Sequence, residues 1–163
     1  MDKSRDLFMN ELGDILYAER MLVKTLPKLA EEATDSQLVA ALEKHLAETE
    51  GHVENVEAAF EALGEQPKAE KCPGIEGIKK EHDQFVSDES PSPDVLDMFL
   101  TGAAARTEHY EIAAYTGLVT MAEALGENRA ATLLTENLKQ EQAALETVTT
   151  ISEKLAGDVA TTA

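Results

Sequence analysis

The sequence predicts an all-α chain: an antiparallel bundle of four long helices, with a long crossover that contains a short extra helix. Three observations carry this. Only 4% of the 163 residues are aromatic and none is Trp, while Ala, Leu, Glu and Thr abound, a balance that favours helix over sheet. Four stretches of roughly thirty residues repeat apolar positions in steps of three and four, the period of a buried helical face. Two of the three connections between them are short and one is long. A chain of 163 residues is read as a single domain with a sizeable core.

The first helix is expected over about residues 4–33. Its stripe is Phe8, Leu12, Ile15, Leu16, Glu19, Leu22, Val23, Leu26 and Leu29. Pro27 lies inside it, which predicts a kink or local irregularity near Val23 and Lys24. Thr34-Asp35-Ser36 stops this helix and supplies an N-cap for the second, expected over 36–63. The second helix turns Leu38, Leu42, His45, Leu46, Thr49, His52, Val53, Val56, Phe60 and Leu63 inwards, and Gly64 ends it. Prolines and glycines then punctuate residues 65–93, with a short helix expected over 75–86. The third long helix is expected over 93–125, with Ser92 as N-cap, Pro93 in its first turn and Gly126 after it. The fourth is expected over 128–156, with Leu134, Leu138, Glu141, Leu145, Val148, Ser152 and Leu155 on one stripe and a frayed tail from Gly157. Two hairpins joined by one long crossover define the ferritin-like topology rather than a simple up-and-down bundle.

Several inner positions carry chemistry where aliphatic side chains belong. Glu48 and His52 are four apart, and Glu108 and Glu111 three apart, so each pair shares a helix face. Glu19 and Glu141 interrupt apolar stripes. One such Glu is ordinarily an edge residue reaching outwards. Four helices all pointing carboxylates at one core is a different matter, because burying several anions together is prohibitive without a cation. The pattern is that of a carboxylate-bridged two-metal site. Oxygen-rich ligands with one or two imidazoles suit iron or manganese better than zinc or copper. His45, two turns before His52, and Tyr115, seven after Glu108, are candidates to support the ligands from behind. His82 and His109 fall outside this face, and Tyr110 reads as packing.

The formal charge of −18 argues against nucleic-acid partners. No run approaches a membrane span, and the N-terminus lacks the apolar core of a signal peptide. A single cysteine, Cys72, rules out an intrachain disulfide and suits a reducing compartment, so a cytoplasmic protein is expected.

Five segments together resemble the YciE/YciF family of bacterial stress proteins: LGDILYAERML, HLAETEGHVENVE, KCPGIEGI, EHYEIAAYTGL and ATLLTENLKQEQ. The resemblance spans nearly the whole chain. It implies a ferritin-like bundle with an added short helix, a homodimer and a two-metal centre. A more distant resemblance is to rubrerythrin, whose Glu-x-x-Glu pair is matched by Glu108 and Glu111. The shared pattern implies Glu19 and Glu108 as terminal ligands, Glu48 and Glu141 as bridges, and His52 on one metal. Glu111 would be an additional or alternative ligand. Where the pattern has a histidine after Glu141, this chain has Ala144 and Leu145, which leaves the second metal without an imidazole.

Three functions follow. The leading one is a di-iron centre that reacts with peroxide or oxygen in stress defence or metal homeostasis. The others are a catalase-like dimanganese enzyme and a structural or interaction protein that binds no redox metal.

Overall fold

The structure is a computed structural model that describes residues 3–162, the last four of them without their side chains. The described residues form five helices: α1 (Ser4–Glu32), α2 (Ser36–Ala62), α3 (Pro73–Glu89), α4 (Pro93–Leu125) and α5 (Asn128–Thr162). The four long ones pack in the ring order α1, α2, α5, α4, and α3 lies against α4. No helix among the described residues is long and apolar enough to cross a membrane.

The α1–α2 connection is tight because Asp35 caps α2, its Oδ1 accepting from the backbone N–H of Gln37 and Leu38. Helix α1 continues through Pro27 to Glu32. Its buried stripe is Phe8, Leu12, Ile15, Leu16, Glu19, Leu22 and Leu26, close to the sequence-based one. These side chains meet Leu38, Leu42, Val56, Phe60, Leu100, Leu118 and Leu134 in the core. At one end of the bundle, Arg5 bonds the Leu63 carbonyl and Glu127. At the other, Thr34 and Asp35 meet Asp97, and Lys154 reaches Asp35. Helices α2 and α4 therefore run parallel, which the crossover makes possible by returning along the full bundle.

The crossover lies directly on α1. The Glu70 N–H donates to the Gly13 carbonyl at 2.9 Å, and a Cβ on Gly13 would sit 2.7 Å from the Lys68 oxygen. Only glycine permits that approach.

Two boundaries differ from expectation. Helix α3 is longer than 75–86, because Pro73 opens it at the first helical position and Ser90, at φ 45°, closes it. The tail beyond Gly157 continues as helix to Thr162 instead of fraying. One glycine costs only about 1 kcal/mol in a helix, and no proline follows Pro93.

Candidate metal centre

Six residues from all four long helices converge midway along the bundle: Glu19 of α1, His45 and His52 of α2, Glu108 and Glu111 of α4, and Glu141 of α5. All are buried, with Glu19, His52, Glu111 and Glu141 fully so. Their ligand atoms fall into two groups, each compact enough to surround one ion. One is Glu19, His52 and Glu141; the other is His45, Glu108, Glu111 and Glu141. Glu141 belongs to both. His52 Nδ1 lies 2.9 Å from Glu141 Oε1 and 3.3 Å from Glu19 Oε1. His45 Nε2 lies 3.4 Å from Glu108 Oε1 and 3.8 Å from Glu141 Oε2.

Hydrogen bonds support the centre from behind, whereas most of the ligand atoms turned into it have no partner. His52 Nε2 is 2.8 Å from Gln140 Oε1. Donation to that carbonyl leaves the Nδ1 lone pair facing Glu19 and Glu141, the tautomer a ligand needs. Tyr115 donates to Glu19 Oε1. Asn137 donates to Tyr115 Oη at 2.9 Å and to the His52 carbonyl at 3.2 Å, and accepts from Asn55. That amide joins α2, α4 and α5 behind the ligands. By contrast, nine buried side-chain atoms among the described residues have no hydrogen-bond partner, and every one belongs to the six converging residues. The close His52–Glu141 approach is not aligned as a hydrogen bond.

Electrostatics follow from this crowding. Burial, and then the Glu141 carboxylate beside it, pushes Glu108 up to about 11. Burial and the charges of Glu141, Glu19 and Glu108 push Glu111 well above the usual carboxylate range. Burial raises Glu19 too, although His52 pulls against it. Glu141 is the exception: burial disfavours its charge, but His52 and Glu108 more than compensate and lower it. Burial also opposes protonation of His52, yet Glu141 and Glu19 together push it up to about 10. Without a cation, then, protons neutralise the cluster.

Of the residues expected from sequence, the structure brings together Glu19, His52, Glu108, Glu111 and Glu141, with Tyr115 behind them. Glu48 stands apart. It belongs to neither group and is partly exposed, with Lys44 Nζ at 2.6 Å and His45 Nδ1 at 3.8 Å. Those neighbours, His45 first, hold it down to about 2. His45, expected behind the ligands, is instead in the second group. That removes the expected asymmetry, because each group has one imidazole and both come from α2. His109 is exposed, and His82 pairs with Glu32 at 2.9 Å, away from the centre. Cys72 is buried, its Sγ 2.8 Å from Tyr110 Oη, which donates to Asp14. Sequence reading missed Asn137 and Gln140. The one signal available was Asn137 four residues before Glu141, an amide on an inner stripe.

Fold and site together define a class: ferritin-like helical bundles with a buried carboxylate–imidazole cluster able to hold metal. Comparison with known proteins gives the family. Residues 3–161 match a family model described as a domain of unknown function, DUF892, and the chain belongs to that family. It is 37% identical to protein YciF of Escherichia coli K12 over 144 residues, covering 88% of this chain and 86% of YciF. The crystal structure of YciF, described there as a stress protein, superposes with a TM-score of 0.91 at 35% identity, over 96% of this chain and 99% of that one. YcfI of Rhodopseudomonas palustris, provisionally described as a structural protein, gives 0.89 at 39% identity over 91% and 94%. A Xanthomonas campestris protein at 21% identity shares the fold, with a TM-score of 0.75 over 94% of each chain.

Proposed function

We propose that the chain is a dimetal-carboxylate protein that binds two iron ions and reacts with peroxide or oxygen in stress defence or metal homeostasis. The observation that supports this is the set of nine unpartnered atoms on six buried residues. Unpaired buried carboxylates cost several kcal/mol each, and a hydrogen-bonded or aliphatic core would avoid that cost. Four carboxylates and two imidazoles fit iron or manganese; iron is proposed, with manganese as the alternative.

In this reading Glu19, His52 and Glu141 would hold one metal, and His45, Glu108, Glu111 and Glu141 the other. Bound there, the metals would supply Lewis-acid polarisation and the electrons for reducing an O–O bond. The protein's own contributions are specific. Gln140 fixes the His52 tautomer. Tyr115, whose hydroxyl burial and Glu19 keep protonated, orients Glu19. Asn137 locks Tyr115 to α2. A homodimer is part of the same proposal, to be tested by light scattering.

The test is elemental analysis of protein purified without chelator or affinity metal. About two iron atoms per chain are expected; two manganese atoms would select the catalase-like alternative. None, persisting after incubation with Fe(II) and Mn(II), would overturn the proposal in favour of a structural role.

A further inference from the structure

A cavity of about 80 Å3 adjoins the centre in the half of the bundle nearest Thr34. Its walls include Leu22, Leu26, Leu42, Ala103 and Val148, with Ile78 of α3 on one side, so all five helices line it. His45 and Glu108 also line it, which makes the cavity continuous with one ligand group. Towards the surface it passes Lys44 and Lys79. Both ammonium groups are already paired, with Glu48 at 2.6 Å and Asp83 at 2.5 Å, so the mouth does not select an anion.

An aliphatic chamber of this kind is a poor host for water and a good one for apolar guests. An engineered cavity of about 150 Å3 lined by Leu, Ile and Phe stays dry and binds benzene or xenon. A smaller chamber with similar walls takes a smaller guest. A molecule with two hydroxyl ends, such as hydrogen peroxide, loses its hydrogen bonds to water on entering and regains few.

We infer that this chamber binds small, uncharged, apolar molecules and presents them to the His45–Glu108 side of the centre. The reactant class is then dioxygen or a short-chain alkyl hydroperoxide rather than hydrogen peroxide. Presentation to a reactive centre rests on the two-metal reading; binding of the apolar guest does not.

The test uses metal-free protein held in chelator and titrated with xenon, followed by NMR of the Ala103 and Val148 methyls. Saturable shifts are expected there. Val148→Phe, which fills the chamber, should weaken xenon at least about tenfold. Leu26→Ala, which enlarges it, should bind xenon more tightly. Butan-1-ol, an unreactive stand-in for an alkyl hydroperoxide, separates the two guests. Competition with xenon assigns the alkyl class, and xenon binding alone assigns dioxygen. Absence of xenon binding in the unmodified protein would overturn the inference. So would an affinity indifferent to both Val148→Phe and Leu26→Ala. Glu141→Gln should leave xenon binding intact while removing metal, so the chamber and the metal centre succeed or fail separately.

Discussion

Asp97 and Glu111 sit on one helix, separated by about 21 Å of α4, and both are carboxylates withdrawn from water. Their surroundings are opposites. Asp97 Oδ1 accepts from the Thr34 N–H at 2.8 Å, and Oδ2 accepts from Thr34 Oγ1 at 2.6 Å and the Asp35 N–H at 2.8 Å. Those bonds tie the α1–α2 turn to the start of α4. Glu111 has no partner for either oxygen. A buried acid is therefore no sign of a functional site by itself; a buried acid with nothing to hold is. Asp97 stabilises the fold, whereas Glu111 burdens it until something else arrives.

The largest separation between the two regions should come from Glu141→Gln. Losing the carboxylate common to both groups should cut metal content from about two per chain to nearly none, with helicity by circular dichroism unchanged. Glu48→Gln should keep its metal, and loss there would restore Glu48 as a bridge. Next in size, Asp97→Ala should cost about 3 kcal/mol in urea denaturation, since two backbone N–H groups and a hydroxyl lose a charged acceptor. Its metal content should not change. If metal fell as well, the two regions would not be independent.

A smaller effect is one of pH. In metal-free protein Glu108 holds its proton up to about 11, against about 4.3 for an ordinary Glu. His52 does so up to about 10. Between the unfolded and folded values the native state carries the extra protons, so stability should fall as pH rises from 6 to 8. Carboxylates held low, such as Asp35, are ionised in both states there and add no slope. Metal displaces these protons, so with Mn(II) present the trend should reverse. Parallel urea melts with chelator and with Mn(II) measure both slopes. Smallest is Asp35→Ala, which removes the α2 cap for about 1 kcal/mol and should leave metal untouched.

The bundle was legible because helix-period stripes, prolines and glycines are local signals. The α1 stripe and the 93–125 helix match the structure closely. In the site, Glu19, His52, Glu108, Glu111 and Glu141 were legible as acids and an imidazole on apolar faces. The separation of Glu48 from both groups has a geometric cause. At 100° per residue, a step of four turns a side chain by about 40°, whereas a step of seven returns it to within about 20°. His45 therefore overlies His52 more closely than Glu48 does, and Thr49 occupies the remaining inner position, fully buried. Pairing by steps of four singled out Glu48, which lies outside both compact groups. The hydrogen bonds of Asn137 and Gln140 cross between helices, and no spacing within one helix encodes them.

One arrangement also bears on the order of events in folding. Each hairpin, α1–α2 or α4–α5, forms from local contacts, but neither owns a complete ligand group: Glu19, His45 and His52 lie on the first, Glu108, Glu111 and Glu141 on the second. The proposed ion-binding set exists only once the hairpins have docked, after the slow step where docking limits the rate. A bound ion should then act as a latch rather than a template. It should slow unfolding many-fold in stopped-flow experiments and leave the folding rate where the metal-free chain has it.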